Sequence, residues 1–244
     1  MENIYKNKVA VITGAGGGIG SAIAEKLARQ GIKLVLLGGN NLDKLQNVYD
    51  KVTQYTRALM LPGNLTDLDF LDKSIQQTVG TFGGIDILIN NAGMTINSPF
   101  EDISMQAFDD IMAINVRVPF YLMKQTLSYL KKSDVPSIIN IASVVAHDAY
   151  PFQSAYAASK HALLALTKSF AREHYKDNIR VHAISPGGVY TDMVRISRPD
   201  LTPEGMIMPQ DIADLVWFFL EHRNSNAVID EIMVHRVNKE PFLL

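Results

Sequence analysis

Two spacings of apolar residues alternate along this chain. Short runs rich in Val, Ile and Leu occur as KVAVIT at 8–13, KLVLL at 33–37, IDILIN at 85–90 and PSIINIAS at 136–143. Between them lie longer stretches, such as 18–30 and 42–55, in which apolar side chains recur every three or four residues. A short run that is apolar at nearly every position suits a strand covered on both faces, the condition found in parallel sheets. The alternation therefore predicts an α/β fold, a parallel sheet with helices on both faces. Thr66 followed by DLD predicts a helix N-cap with acidic residues in the first turn, and a helix running to about Thr81. A last strand and an apolar tail are expected in VIDEIMVHRVNKEPFLL. The loosest stretch, 193–210, holds three prolines and reads as a lid or binding loop.

Composition narrows the function classes. The 244 residues are 47% hydrophobic and 20% charged, enough apolar material for one large core, and no repeat or Pro/Ser-rich linker divides them. A single domain over 1–244 is the expectation. Lys and Arg number 23 against 25 Asp and Glu, with no basic block to neutralise a run of phosphates, so nucleic acid is not an expected partner. The absence of cysteine excludes disulfides, thiolate chemistry and Cys-based metal sites, and no metal is expected. The opening MENIYKNKVAVITG has no apolar signal-like core, and no run approaches the roughly 18 apolar residues of a membrane span. A cytoplasmic protein without a membrane partner is expected.

The chemistry begins at VAVITGAGGGIGSAIAEKLARQG, a strand, a glycine-rich turn and an amphipathic helix. Gly14, Gly18 and Gly20 allow a tight turn, close approach to an anion and close helix packing, while the helix start offers unpaired N–H groups. A dinucleotide pyrophosphate is the natural ligand. Farther on, Tyr156 and Lys160 are four apart in a helical segment and share a face. An ammonium near a phenol favours the phenolate, so a lowered Tyr156 pKa and practical proton transfer are expected. Ser143 follows an apolar strand, at the strand end where open parallel sheets place their ligands. Asn115 lies in apolar IMAINVRVPFYLM, four residues before Pro119. Proline has no N–H to give back to residue 115, so the Asn115 carbonyl is expected to be free to bind a water.

Thr13-Gly14-x-x-x-Gly18-Ile19-Gly20 resembles the cofactor loop of the short-chain dehydrogenase/reductase family. The resemblance continues in order through Asn90-Asn91-Ala92-Gly93, Asn115, Ser143, Tyr156-x-x-x-Lys160 and Pro186-Gly187-x-Val189-x-Thr191, and loosens over the last thirty residues. It extends to 3-oxoacyl-thioester reductase-like and carbonyl reductase members. It implies a single-domain doubly wound Rossmann fold with a mostly parallel seven-stranded sheet and a substrate loop at about 190–210. It also implies an NAD(P)-dependent oxidoreductase acting on a carbonyl/alcohol pair, with Asn115, Ser143, Tyr156 and Lys160 as catalytic set. In that scheme Tyr156 exchanges the proton, Ser143 orients the substrate oxygen, Lys160 also holds the nicotinamide ribose, and a water near Asn115 extends the proton relay.

The implied cofactor contacts are Gly14, Gly16, Gly18, Ile19 and Gly20 in the first turn, and Gly38, Gly39 and Asn40 after the second strand. Asn64 and Leu65 belong to the adenine side, where Asn64 replaces the family's usual aspartate. Asn91, Ala92 and Gly93 pass beside the adenosine, and Pro186, Gly187, Val189 and Thr191 line the nicotinamide, which Tyr156 and Lys160 also meet. The uncharged KLVLLGGNN places Gly38 where NAD-preferring relatives often carry Asp and Gly39 where NADP-preferring ones often carry Arg. Gly17 likewise lacks a basic side chain. Without the carboxylate a 2′-phosphate is not repelled, and Asn40, Asn41 and Lys44 are weaker donors, so NADP(H) is favoured over NAD(H).

The substrate pocket is expected from 94–98, 144–153 and the segment after Tyr190, with Met94, Ile96, Val145, Tyr150, Phe152, Tyr190 and Met193 as apolar lining and His147 and Gln153 as polar points. His147 reads as a solvated loop residue or a second acid. Apart from Arg195 and Arg198 in the loose stretch, no arginine stands out as a carboxylate clamp, and a neutral, moderately apolar carbonyl compound is expected. Segments 111–130 and 157–170 are apolar round much of their circumference and call for cover on both sides. A homo-oligomer, tetramer or dimer, would supply it. The rival reading is a non-catalytic nucleotide-binding regulatory or scaffold protein of the same fold.

Overall fold

The computed structural model describes residues 3–39, 41–197 and 202–240, apart from the side chains of Met193, Ile196 and Ser197. One sheet contains β1 (Val9–Thr13), β2 (Lys33–Gly38), β3 (Ala58–Pro62), β4 (Ile87–Asn90), β5 (Ser137–Ile141), β6 (Arg180–Pro186) and β7 (Glu231–Val234), in the order β3-β2-β1-β4-β5-β6-β7. Every pairing is parallel, so the sheet goes beyond the mostly parallel expectation. The chain starts in the middle, winds outward through β2 and β3, then returns to β4 and winds the other way. The crevice between β1 and β4 is the switch point at which such sheets bind ligands.

The apolar runs work as double-sided strands. Ala10, Ile12, Leu34, Leu36 and Ile89 face a core closed by α1 (Gly18–Arg29), α2 (Leu42–Val52) and α8 (Pro209–Glu221), whereas Val9, Val11, Val35, Leu37 and Leu88 face the opposite core. That second core is covered by α3 (Leu68–Phe82), α5 (Val118–Leu130) and α6 (Ser154–His174). Two strands gave no clear apolar run. β3 is an edge strand with Leu61 as its buried residue, and β6 is interrupted by Arg180 and His182. His182 is nevertheless buried, its ring stacked 4.2 Å from that of Phe219.

Several local expectations change. Asp67, not Thr66, caps α3 by accepting from the Asp69 and Phe70 N–H groups; Thr66 instead donates its hydroxyl to Asn64 Oδ1. The stretch expected to be a loop starts as α7 (Asp192–Ser197), and Met206 and Ile207 are buried, Ile207 bridged to Val189. Arg198 lies outside the described residues. The helix continues through Pro119, with a local change of turn. α4 (Met105–Met112) passes through a π-helical segment (Ala113–Arg117) into α5, and Val118 N–H donates five residues back to Ala113. A missing proline donor favours such a one-turn rearrangement. Among the described residues no helix is long and apolar enough to cross a membrane.

The first turn is fitted closely to the strand beside it. Gly14 has φ +65°, and a Cβ there would lie 2.9 Å from Ala92 Cα. A Cβ at Gly20 would lie 2.2 Å from the Gly14 carbonyl oxygen. Asn91 fastens the same contact, its Nδ2 donating to the Thr13 and Gly14 carbonyls at 2.9 and 3.2 Å. Gly20→Ala should therefore destabilise the protein by about 1–3 kcal/mol through overpacking. Urea unfolding checks this; an unchanged midpoint would show that the turn can open without cost.

Candidate active site

Because all seven strands run one way, the turns after β1, β2, β4, β5 and β6 meet along a single edge. The N-terminus of α1 opens there without a side-chain cap and without an acidic residue in its first turn, which leaves its N–H groups available to an anion. A groove of about 200 Å³ continues along Gly14, Gly16, Gly17, Gly38, Gly39, Asn41 and Lys44. A second cavity of about 120 Å³ follows, bordered by Ile19, Asn91, Gly93, Ser143, Tyr156, Lys160, Pro186, Gly187, Val189 and Thr191. A tight glycine turn, an uncapped helix start and a side groove fit a dinucleotide. Gly18 also fits, since a Cβ there would press within 2.9 Å of Thr191 Cγ2.

The four residues expected to be catalytic converge. Lys160 is buried on α6 and donates to the Ile141 carbonyl at 2.8 Å, with its Nζ 5.9 Å from the centre of the Tyr156 ring. Burial alone lowers the Lys160 pKa to about 8. Tyr156 departs from expectation: burial pushes its phenol above the ordinary value, and the neighbouring Ser143 hydroxyl pulls it back only in part. Desolvation therefore outweighs the Ser143 hydrogen bond, and the shift is toward the neutral phenol rather than the phenolate. Ser143 stands just past β5, its hydroxyl 3.4 Å from the Pro186 carbonyl and accepting from Val145 N–H at 3.4 Å.

Asn115 is fully buried, and its side chain is knit rather than solvated. Its Oδ1 accepts from Met94 N–H at 2.9 Å, and its Nδ2 donates to the Met94 carbonyl at 3.0 Å and to Ser159 Oγ at 2.9 Å. It thereby ties the segment after β4 to α6 one residue from Lys160. Gly93 lies between them: a Cβ there would be 3.1 Å from Asn115 Oδ1 and 3.6 Å from Lys160 Nζ.

Other expected contacts divide. Ala92 donates its N–H to Thr13 Oγ1 at 3.0 Å and packs at the turn. Asn64 and Leu65 border none of these cavities; the Asn64 oxygen serves Thr66, and Leu65 is buried in the core beside α3. Asn41 caps α2 by accepting from Lys44 N–H, and the Lys44 ammonium is paired with Asp192 across the groove. Asn40 lies outside the described residues. Gly39 faces open space, whereas a Cβ at Gly38 would lie 3.1 Å from Leu45 Cδ1.

A third cavity, of about 380 Å³, shares Ser143, Tyr156, Gly187 and Val194 with the second. Val145, Tyr150 and Gln153 border it as expected, but Ile96, Phe152, Tyr190 and His147 do not, and the Met193 side chain is outside the described set. Met94 borders the second cavity instead. Phe152 is exposed. His147, part-buried, is turned away from this cavity, with its Nε2 2.6 Å from Glu231 Oε1 on β7. Arg236, Lys239 and His235 also border this cavity, where no arginine was expected. Sequence reasoning passed over these three because they follow the last strand, where family order loosens. Ser159 was missed because it is one small residue within a helix.

An uncapped nucleotide turn beside a buried lysine and a tyrosine at a shared cavity wall defines a nucleotide-dependent oxidoreductase. Residues 8–202 match the family model for short chain dehydrogenases. The chain is 35% identical over 228 residues to an uncharacterized oxidoreductase of Staphylococcus aureus strain MRSA252, covering 92% of this chain and 97% of that one. Among solved structures it is similar to L-sorbose reductase from Gluconobacter frateurii complexed with NADPH and L-sorbose, with TM-score 0.88, 26% identity and coverage of 97% and 98%. It is also similar to a short chain dehydrogenase from Mycobacterium paratuberculosis bound to NAD, with TM-score 0.84, 28% identity and coverage of 94% and 97%. The chain belongs to the short-chain dehydrogenase/reductase family and is an NAD(P)-dependent oxidoreductase.

The Lys160 shift makes a test of the site. From pH 8 to 10.5 the folded chain holds fewer protons at Lys160 than the unfolded chain, so stability rises with pH across that window and the penalty is constant below it. The unfolding free energy of the protein minus that of Lys160→Met should rise by on the order of 3 kcal/mol over this range. A flat difference would mean that Lys160 is better solvated than its burial indicates.

Proposed function

We propose that this oxidoreductase interconverts a carbonyl compound and its alcohol, with Tyr156 as the proton donor and acceptor. The observation that carries this reading is the wall shared by two cavities: Ser143 and Tyr156 border both the nucleotide-side cavity and the larger one beside it. A substrate oxygen at that wall meets two hydroxyls at once. A nicotinamide held in the nucleotide-side cavity would supply or remove the hydride at the substrate carbon. In reduction Tyr156 gives its hydroxyl proton to the carbonyl oxygen, and the raised phenol pKa keeps that proton in place at neutral pH. Ser143 donates to the same oxygen as negative charge develops on it. Lys160, buried behind the ring, steadies the resulting phenolate and holds the ribose hydroxyls. A water at the Asn115 carbonyl, beside the helix turn that Pro119 disrupts, connects Lys160 to solvent and returns the proton.

Gly14, Gly16, Gly18, Ile19 and Gly20 form the pyrophosphate cradle in this reading, with Asn91, Ala92, Gly93, Pro186, Gly187, Val189 and Thr191 beside the rest of the cofactor. NADP(H) is favoured over NAD(H). Gly39 leaves room for a 2′-phosphate, no carboxylate stands at Gly38, and Lys44 can exchange Asp192 for the phosphate. A homo-oligomer fits the outer surface, where Met112, Val116, Phe120 and Leu166 border an open groove of about 530 Å³ and Phe120 is 51% exposed. All four expected catalytic residues converge, which favours turnover over a scaffold role.

Tyr156→Phe should lower kcat by at least about 100-fold while NADPH binding persists, the loss typical of a removed general acid. Single-turnover assays on a carbonyl panel read this, and near-normal turnover would remove Tyr156 from the chemistry. Gly39→Arg should raise the NADPH/NADH ratio of kcat/KM by about tenfold, the scale of one charged hydrogen bond. An unmoved ratio would place the 2′-position elsewhere. Gly38→Asp should shift preference toward NADH, at a cost in stability from its crowding against Leu45.

A further inference from the structure

The segment after the last strand turns back over the larger cavity. Gly187 N–H donates to the Val234 carbonyl at 2.8 Å, which fixes the end of β7 above the β6 exit. Lys239 N–H donates to the Arg236 carbonyl at 3.0 Å, closing a turn over 236–239. Beneath it, Gly188 lies under the arginine stem: a Cβ at 188 would touch Arg236 Cδ at 3.7 Å and crowd Met206 Cε at 3.0 Å. Both Arg236 and Lys239 are part-buried and border the cavity that Ser143 and Tyr156 also border.

These cations have little to satisfy them. The Arg236 guanidinium donates to the Met206 sulfur at 3.5 Å, a weak acceptor. The Lys239 ammonium lies 6.0 Å from the centre of the Tyr150 ring. Among the described residues neither is ion-paired, and no Asp or Glu borders the cavity. Glu231, on β7, is occupied by His147 and by the Ser185 hydroxyl, each at 2.6 Å. A part-buried guanidinium at a cavity wall with no carboxylate beside it is free to take an anion as its partner.

We propose that the substrate is an anionic carbonyl or alcohol compound, its carboxylate or phosphate held by Arg236 and Lys239 while its reacting oxygen faces Ser143 and Tyr156. This deepens the carbonyl-reductase reading and rests on it. A guanidinium offers a planar pair of donors to either oxyanion, and the lysine adds a point charge. The cavity of about 380 Å³ holds a small molecule, roughly a dozen water-sized groups.

Matched probes test the charge: 4-oxopentanoate against its methyl ester for a carboxylate, and dihydroxyacetone phosphate against dihydroxyacetone for a phosphate. With NADPH-loaded protein, calorimetry reads binding and stopped-flow absorbance reads hydride transfer. In at least one pair the anion should bind at least tenfold more tightly than the neutral partner, the preference should fall with added salt, and Arg236→Gln should cut it at least tenfold, with Lys239→Gln cutting it less. The salt series on the unaltered protein serves if a variant does not fold. Equal binding of charged and neutral partners in both pairs, or a preference untouched by salt and by Arg236→Gln, overturns the proposal. Anion-selective binding with no hydride transfer upholds the anion site and instead overturns the carbonyl-reductase reading.

Discussion

Parallel pairing of all seven strands places every strand exit on one edge of the sheet, and each functional feature of the protein depends on that edge being held in register. Hydrogen bonds across neighbouring exits do the holding. Thr13 Oγ1 accepts from both Asn91 and Ala92 N–H groups at 3.0 Å, and Asn91 returns two bonds to the Thr13 and Gly14 carbonyls. This joins the β1 and β4 exits on either side of the crevice. Buried backbone groups left without such partners would cost about 1–3 kcal/mol each, so the turns are fixed by satisfaction of polar groups as well as by apolar packing.

The same logic extends to the neighbouring exits of β4 and β5. Asn115 closes three hydrogen bonds between the β4 exit and α6, and Asn90, Asn140 and Thr167 form a buried chain linking β4, β5 and the same helix. Tyr156 and Lys160 therefore sit on a helix pinned to the sheet by polar contacts on two levels. The π-helical turn at Ala113–Arg117 belongs to this arrangement, because it carries Asn115 inward where Pro119 prevents regular pairing. Burial acts on both groups in the same sense, against the charged form: it raises the Tyr156 phenol and lowers the Lys160 ammonium.

The sequence by itself determined the alternating sheet and helices and the glycine turn, and it singled out Asn115, Ser143, Tyr156 and Lys160, of which the last three border one cavity. Those features are legible because they rest on local rules: apolar period, the steric demands of a tight turn, and the order of short motifs. Tertiary structure decided the rest. The β3 and β6 strands are weakly patterned, Asp67 displaced Thr66 as cap because its carboxylate reached two N–H groups, and the Tyr156 pKa moved opposite to expectation because desolvation depends on neighbours distant in sequence. Arg236 and Lys239 show the limit most clearly. In the chain they are two basic residues in an irregular tail; only the parallel pairing of β7 with β6 brings them to the cavity that Ser143 and Tyr156 border.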